Sequence, residues 1–352
     1  MRCSRCLNDS SVRNIRFDSE GVCSFCREYE KLSDRLSDYE QLEKLFKSRI
    51  ERVRGRHRYD AALGISGGKD SVYVLSQLTR RYGLHVMTFT MDNGFLSPLA
   101  KENIDRLVKS FGVDHAYIRF DESALKRVYR YSMRKLLVPC VACSYIGYAA
   151  MIGYASRIDA GICVHGRSPE QMLRSYSLDV FSRFIDWGLE DSAGVSFGER
   201  YMALLDSVKE KVDADIFEDI RAIAFDGIDT DDLREFVPYF LYHPYDEDKI
   251  VRWLKENTSW QPPEDYNHFD CEVHNAAKYI YQRAEGRPHR LPEISVLVRS
   301  GCISRAEGET LLEKEIIRRK PAEELKRLCD FAGVSQTLLF AKAELYNKIL
   351  KP

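Results

Sequence analysis

The sequence reads YDAALGISGGKDSVYVLSQL at residues 59–78, and this stretch decides the fold class of the chain. Tyr59–Ile65 is a short apolar run, which predicts a buried strand. Ser66–Ser71 contains two adjacent glycines, and the apolar residues that follow, beginning with Val72 and Leu75, recur at helical spacing. A strand, a glycine turn and a helix in this order predict an open parallel sheet of the α/β class.

The turn between this strand and this helix has the composition of an anion site. Its glycines let the backbone approach a polyphosphate closely, and the first amides of the helix point toward it from the positive end of the helix dipole. Lys69 adds a cation. The P-loop of kinases and GTPases is excluded, because it needs glycine and then serine or threonine where this chain has Leu63 and Asp70.

The turn Ser66–Ser71, SGGKDS, matches every fixed position of the signature SGGxDS, and here the chain resembles the PP-loop ATP pyrophosphatases. The resemblance implies a Rossmann-like open parallel sheet of the adenine nucleotide alpha hydrolase type. It also implies an enzyme that cuts ATP between the α and β phosphates and adenylates a substrate oxygen. Ammonia, an amine or a sulfur donor then displaces AMP.

The same resemblance implies roles for the residues of the turn. Contacts to pyrophosphate are implied for Ser66, Gly67, Gly68 and Ser71. Lys69 and Asp70 are the catalytic and ATP-binding candidates: the lysine would neutralise charge on the departing pyrophosphate, and the carboxylate would orient the loop or help hold Mg²⁺.

Two later turns also follow predicted strands. His85–Met91 reads as a strand ending in Asp92 and Asn93, which we expect to contact the nucleotide because ligands bind beyond the carboxyl ends of parallel strands. The alternative is that both only shape the turn, as Asn-Gly pairs usually do. His165 and Arg167 follow a later predicted strand and are substrate candidates, although a lone histidine there is more often a hydrogen-bonded structural residue.

The ten cysteines include three CxxC pairs. Cys3 and Cys6 form the first pair and Cys23 and Cys26 the second, with 16 residues between the pairs, a spacing typical of four thiolates around Zn²⁺. Such a site is closed, so we predict a structural zinc ribbon. The alternative is four reduced cysteines packed as small apolar residues.

Cys140 and Cys143 form the third pair, ahead of an apolar helix whose start can acidify thiols. Two thiolates do not close a metal site, and we expect the third ligand to be Cys271 rather than one of the other single cysteines. The arrangement resembles PP-loop thiotransferases acting on tRNA, in which a CxxC pair and one distant cysteine hold a [4Fe–4S] cluster. The alternative is a thiol pair without a cluster.

The order of parts along the whole chain resembles the N-acetyl sugar amidotransferase branch of the PP-loop enzymes. The shared segments are FDSEGVCSFC at residues 17–26, DNGF at 92–95 and ISVLVRSGCISRAE at 294–307. The resemblance implies amide or amidine transfer onto a nucleotide-linked N-acetyl sugar, with ammonia from a partner glutaminase. The chain departs from this branch in its third CxxC pair and at residues 164–170, VHGRSPE, where relatives have an acidic Gly-Glu-Asn-like turn.

We predict three parts: a zinc ribbon with an amphipathic helix over residues 1–57, a PP-loop ATP pyrophosphatase domain over 58–240 and a helical segment over 241–352. Apolar periodicity places the amphipathic helix from about Glu28 to Arg58. The arginines at its end, Arg49–Arg58, either face an anionic partner or are solvated.

Composition helps to order the functional alternatives. The chain has 53 Lys and Arg against 54 Asp and Glu, and this net charge of −1 weighs against tRNA as the acceptor. Amide transfer, to which the resemblance extends over more of the chain, is the favoured function. Sulfur transfer to tRNA or a small molecule is the alternative, and a non-enzymatic zinc protein that binds nucleotide is a further one. Because no run of about 18 apolar residues and no apolar signal core occur, we expect a cytoplasmic protein without a membrane partner.

Overall fold

This computed structural model describes residues 1–12, 14–167, 186, 189, 196–209, 212–262 and 270–350. Among them, five strands form one parallel sheet: β1 (Tyr59–Gly64), β2 (Val86–Asp92), β3 (Asp114–Arg119), β4 (Ala160–His165) and β5 (Glu235–Pro238). The strand order is β3-β2-β1-β4-β5, and every neighbouring pair is parallel. This Rossmann-like sheet confirms the predicted fold class. The strands after β1 are added first on one side of it (β2, β3) and then on the other (β4, β5). In open parallel sheets, ligands bind at the carboxyl ends of the strands where this direction changes, here between β1 and β4.

Helices surround the sheet and form the last part of the chain. The helices before and around the sheet are α1 (Ser24–Ser37), α2 (Tyr39–Val53), α3 (Lys69–Ser76), α4 (Pro98–Phe111), α5 (Glu122–Tyr131), α6 (Cys140–Arg157), α7 (Phe197–Lys209), α8 (Ala214–Phe225), α9 (Tyr239–Tyr242) and α10 (Glu247–Asn257). The carboxyl-terminal helices are α11 (His274–Glu285), α12 (Leu291–Arg299), α13 (Arg305–Lys314), α14 (Ala322–Ala332) and α15 (Gln336–Leu350). Single π-helical turns extend α3 and α5 over Gln77–Arg81 and Ser132–Leu136, and a 3-10 turn spans Thr230–Asp232. None of the described helices is both long and apolar enough to span a membrane.

The prediction of one amphipathic helix from Glu28 to Arg58 is wrong. The chain breaks at Asp38, whose carboxylate accepts a hydrogen bond from the Gln41 amide at 3.1 Å and caps α2. Aspartate is a strong helix-capping residue, so a break at this position agrees with its chemistry. The apolar period continues across the break, which is why periodicity alone does not reveal it.

Part of the arginine-rich end of α2 is structural. Arg49 is buried, and its guanidinium lies 2.7 Å from the Glu235 carboxylate and donates to the Tyr242 hydroxyl at 3.0 Å. Arg54 donates to the Tyr82 carbonyl at 3.0 Å. These two side chains therefore hold α2 against the sheet domain and bind groups of this chain, not a separate anionic molecule.

The apolar stripe of α2 packs into the main core of the protein. Phe46 is fully buried in a group of rings, with centroid distances of 5.1 Å to Tyr82, 5.6 Å to Tyr242 and 5.0 Å to His243. The same core contains the apolar faces of the sheet strands. Helix α2 is thus part of the sheet's packing, although it precedes the first strand.

The two ends of the chain meet. Leu7 and Val12 of the cysteine-rich segment are buried with Leu291 and Ile294 of α12. Arg305, the first residue of α13, donates to the carbonyl oxygens of Cys3 and Cys6 at 3.1 and 3.0 Å. The amino-terminal module is therefore supported by the carboxyl-terminal helices.

Replacing Phe46 with alanine should lower the free energy of unfolding by about 3–5 kcal/mol, the usual cost of removing a large buried ring. Urea denaturation measures this change. Tyr39→Ala on the same helix is the control, because Tyr39 is 40% exposed and its loss should change stability by about 0.5 kcal/mol or less. Equal effects of the two substitutions would contradict the packing of α2 described above.

Candidate active site and metal centre

The turn after β1 is fixed by close backbone contacts. Gly67 has φ +76°, and a Cβ built on it would lie only 2.7 Å from the carbonyl oxygen of Ala100 in α4. The Trp260 indole donates to the Gly67 carbonyl at 3.0 Å. A side chain at position 67 would therefore push the turn away from α4, so glycine is required by both conformation and space.

The helix after the turn begins with amides that can bind a ligand. Gly68 is the N-cap of α3 and offers no side chain to cap it. The Ser71 hydroxyl donates to the Gly68 carbonyl at 3.1 Å and accepts from the Ser66 amide at 3.3 Å, which closes the loop on itself. Gly166, just beyond β4, packs so closely that a Cβ there would lie 3.1 Å from the Asp70 carbonyl. The loop thus lies at the carboxyl edge of the sheet between β1 and β4.

Lys69 and Asp70 form a charged group at the start of α3. The Lys69 ammonium lies 3.3 Å from the Asp70 carboxylate and 3.6 Å from that of Glu247. Burial lowers the pKa of Lys69, but Asp70 and Glu247 raise it by more, so the side chain stays charged. Tyr245 donates to the other oxygen of Asp70 at 3.2 Å. Two carboxylates beside the loop are the oxygen ligands that Mg²⁺ prefers.

The loop opens into a cavity of about 1100 Å³. The loop wall consists of Ser66, Gly68, Lys69, Asp70 and Ser71. A second wall carries Cys140, Cys143 and Cys271, and a third, from the carboxyl-terminal helices, carries Lys278, Arg290, Glu293 and Glu315. The predicted phosphate loop and the predicted cysteine trio therefore share one space.

Asp92 and Asn93 have different surroundings. Asn93 lines the cavity, and its side-chain amide donates to the Tyr129 hydroxyl and to the Cys143 sulfur, both at 3.2 Å. Asp92 lies off the cavity wall, where it accepts from Arg119 at 3.0 Å and from the Gly94 amide at 3.0 Å. The structure brings Asn93 to the candidate site and gives Asp92 the role of a turn residue.

The cysteine wall is assembled around the segment that follows β2. Cys271 pairs with Leu96 through the backbone, and the Glu272 amide donates to the Phe95 carbonyl at 2.9 Å. On the other side of this segment, the Cys143 sulfur lies 2.5 Å from the Tyr129 hydroxyl. Two cysteines separated by more than a hundred residues are thus brought to one turn at the sheet edge.

Both of these thiols are held in the neutral form. Burial raises the pKa of Cys143 above its ordinary value, although the Tyr129 and Asn93 hydrogen bonds oppose the shift. Burial, followed by the nearby Cys143, also raises the pKa of Cys271. Neutral thiols are weak nucleophiles, and binding to a metal would deprotonate them.

His165 is buried and lines the cavity, and its ring stacks on Phe236 at 4.3 Å. Its Nδ1 accepts from the Arg167 amide at 3.1 Å, which places the proton of the neutral ring on Nε2. Burial, with a contribution from Arg167, holds the pKa of His165 well below its usual range. The Arg167 guanidinium lies over the Tyr148 ring at 5.0 Å, also at the cavity wall. Both residues therefore lie beside the loop, and His165 has a clear structural role.

The sequence predicts the carboxyl-terminal part of the chain only as a helical segment, and it does not indicate the charged cavity wall that these helices form. Lys278 lies 2.6 Å from Glu315, and Arg290 contacts Glu315 at 2.9 Å and Glu293 at 3.0 Å. Apolar periodicity gives no signal for this wall, because Ala276, Ala277 and Ile280 lie one or two positions from Lys278 and project from other faces of the helix. Lys278 is nevertheless buried, and a buried charge needs a partner or a ligand.

The four amino-terminal cysteines form a compact group that could hold a metal ion. Cys3 and Cys26 have sulfur atoms 3.8 Å apart, and those of Cys6 and Cys23 are 3.7 Å apart. A zinc ion bound at about 2.3 Å places its sulfur ligands about 3.8 Å from one another. Among the described residues this is the one group of three or more His, Cys, Asp or Glu side chains whose ligand atoms all lie within 4.8 Å of one another. The cysteine trio in the cavity is more widely spaced and does not suit a single tetrahedral ion.

Backbone amides support the sulfurs of this centre. The amides of Arg5 and Cys23 donate to the Cys3 sulfur at 3.4 and 3.3 Å, and the Asn8 amide donates to the Cys6 sulfur at 3.5 Å. Such bonds stabilise thiolates, which a metal ion requires. All four sulfurs are buried, so the centre offers no open position for substrate.

Comparisons with known proteins give partial matches. No protein-family model matches the chain. The chain is 25% identical over 146 residues to an uncharacterized protein, MJ1599, of Methanocaldococcus jannaschii, which covers 41% of this chain and 50% of that protein. It is also 30% identical over 105 residues to a glutamine-hydrolyzing GMP synthase of Pyrobaculum aerophilum, and the aligned region covers 30% of this chain and 20% of the synthase. The chain thus spans half or less of these curated relatives. The GMP synthase match supports the resemblance to the PP-loop ATP pyrophosphatase superfamily.

Three solved structures are similar over larger parts of the chain. The U34-tRNA thiolase NcsA from Methanococcus maripaludis with its [4Fe–4S] cluster is 12% identical with a TM-score of 0.37, and the match covers 96% of this chain and 99% of that one. The NH3-dependent NAD synthetase from Campylobacter jejuni is 15% identical with a TM-score of 0.32, and the match covers 53% of this chain and 93% of that one. NMN synthetase from Francisella tularensis is 13% identical with a TM-score of 0.32, and the match covers 71% of this chain and 94% of that one. At these scores and identities the similarity says nothing about what this chain binds.

If the four-cysteine group holds zinc, replacing Cys23 with serine should abolish zinc binding and lower Tm together, because three thiolates lose much of the folding energy of four. We expect a Tm decrease of about 3 °C or more, since the loss of a structural metal site costs several kcal/mol and each kcal/mol shifts Tm by about 2 °C or less in a chain of this length. Metal analysis and calorimetry measure both effects. Cys302→Ser is the control, because Cys302 is exposed and outside the group. Normal zinc content in Cys23→Ser would contradict the four-cysteine centre.

Proposed function

We propose that the chain is a PP-loop ATP pyrophosphatase that adenylates an acceptor oxygen and releases pyrophosphate, then AMP. The proposal rests mainly on the turn Ser66–Ser71, whose helix amides and Lys69 face a cavity at the carboxyl edge of the sheet. A polyphosphate in this turn would meet backbone donors, the positive end of α3 and one ammonium group.

In the proposed reaction, the acceptor oxygen attacks the α phosphorus of ATP. The bond from that phosphorus to the α–β bridging oxygen breaks. The electron pair leaves with pyrophosphate, whose growing charge is stabilised by Lys69 and the loop amides. Asp70 and Glu247 would hold Mg²⁺, which supplies further charge neutralisation.

Amide or amidine transfer onto an N-acetyl sugar, with ammonia from a partner glutaminase, is our first candidate for the second step. Two of the segments that resemble this branch, residues 17–26 and 294–307, lie together here, because Phe25 packs in the same apolar cluster as Ile294 and Val298. Arg299 also donates to the Cys6 sulfur at 3.7 Å. The resemblance therefore falls on one physical unit, which also forms part of the cavity wall at Leu297 and Cys302.

Sulfur transfer is the second candidate, favoured by the cysteines that share the cavity with the loop. Cys140, Cys143 and Cys271 would hold a [4Fe–4S] cluster, which can supply sulfur chemistry when bound. The three cysteines line the cavity but are spaced too widely for one ion, which fits a larger group. If sulfur transfer is the function, the adenylated acceptor, a small molecule or tRNA, would receive sulfur in place of nitrogen.

Lys69→Ala should reduce pyrophosphate release by about 10²–10³-fold while leaving Tm nearly unchanged, because the lysine acts on charge that develops in the reaction. An enzyme-coupled pyrophosphate assay with Mg-ATP, ammonium and UDP-N-acetylglucosamine measures the rate. Lys249→Ala, an exposed lysine on α10 outside the cavity, is the control. Unchanged turnover in Lys69→Ala would remove this residue from the mechanism. Absence of pyrophosphate release from wild type with any acceptor would favour the non-enzymatic alternative.

Anaerobic purification separates nitrogen from sulfur chemistry. If the trio holds a cluster, wild type is brown with about four iron and four acid-labile sulfide per chain, and Cys143→Ala loses most of the colour. Cys302→Ala should keep it, although Cys302 also lines the cavity. A colourless wild-type protein containing zinc alone would rule out the cluster and favour ammonia chemistry.

A further inference from the structure

Four charged side chains form the cavity wall that the carboxyl-terminal helices provide. Lys278 lies on α11, Arg290 just before α12, Glu293 on α12 and Glu315 just after α13. They are joined into one network by contacts of 2.6–3.0 Å, and their side chains are 7%, 21%, 8% and 4% exposed. We define this network as the charged wall.

The packing of the helices does not by itself account for the charged wall. Buried ion pairs lose hydration that their mutual attraction barely repays, and apolar residues of similar size usually stabilise a helix contact as well. The charged wall lies on the cavity surface, whereas the helix contacts farther from the cavity are made by apolar residues such as Ala276 and Ile280. Burial of charge at this position points to a ligand.

The charged wall and the nucleotide loop line the same cavity. A group held on the charged wall would therefore share this cavity with the phosphates. The attacking oxygen of an acceptor must occupy such a position.

The balance of charge indicates what the wall can bind. Two cations and two carboxylates give a formal charge of zero, and both cations are already paired. A phosphate group would meet Glu293 and Glu315 as well as the cations. An uncharged group with hydroxyls and an amide can donate to the carboxylates and accept from Lys278 and Arg290, and the Tyr281 ring beside them offers an apolar surface.

We infer that the charged wall is the acceptor subsite and that it recognises an uncharged portion of the acceptor bearing hydroxyl and amide groups, in preference to a phosphate backbone. This inference rests on the proposed function, because it assigns the oxygen that attacks ATP to a ligand on this wall. It identifies the site by its hydrogen-bonding chemistry and disfavours RNA phosphates as the main contact.

The test is binding to the full chain, measured by calorimetry with the nucleotide loop saturated by α,β-methylene-ATP and Mg²⁺. The probes are N-acetylglucosamine, which is uncharged, and inorganic phosphate. Glu293→Gln keeps the shape of the wall and removes one carboxylate, and Tyr281→Leu removes the ring and keeps all charges. Arg283→Met is the matched control, because Arg283 lies on the same helix as Lys278 and pairs with the exposed Glu344 outside the cavity.

We expect wild type and Arg283→Met to bind N-acetylglucosamine saturably and phosphate at least ten-fold more weakly. Glu293→Gln and Tyr281→Leu should each bind the sugar about ten-fold more weakly, with affinity for the ATP analogue unchanged. Wild-type affinity for the sugar in both variants, or binding of phosphate in preference to the sugar by wild type, would overturn the inference and leave the ATP proposal intact. Failure of wild type to bind the ATP analogue would instead remove the proposed function and this inference with it.

Discussion

The close approach of two glycines to the backbone around them is the constraint on which the site depends. Gly67 lies against Ala100 of α4, and Gly166 lies against Asp70 and Ser71 at the start of α3. No side chain fits at either place without moving the loop. These contacts bring the ends of β1 and β4 to opposite sides of the first turn of α3. The residues of that turn, including Lys69, therefore line the cavity.

The cysteine centre supports the opposite side of that cavity. Leu7 packs with Leu291 and Ile294, and a Cβ at Gly308 would lie 2.8 Å from a methyl group of Leu7. Metal binding at the four sulfurs therefore stabilises α12 and α13 as well as its own segment. Helix α12 carries Glu293, and Glu315 directly follows α13, and both residues line the cavity. The cysteine-rich segment therefore helps to shape the space where an acceptor would lie, although it is distant in sequence from these helices.

The sequence allows the fold and the loop to be predicted because their signals are local. A strand, paired glycines and a helix occupy twenty consecutive residues, and the four-cysteine spacing needs only short turns. The charged wall depends on contacts between residues up to 37 positions apart, such as Lys278 and Glu315. Apolar periodicity assigns charged residues to the solvent face, so it missed them. The same reasoning placed Arg49 on the surface, since its partner Glu235 is 186 residues away.

The identity of the phosphorus products tests the central claim most directly. Phosphorus NMR of Mg-ATP incubated with the full chain, ammonium and UDP-N-acetylglucosamine distinguishes cleavage at the α phosphate from cleavage at the γ phosphate. A loop that grips the β and γ phosphates while an oxygen attacks the α phosphorus predicts AMP and pyrophosphate in equal amounts. ADP with inorganic phosphate would contradict the account.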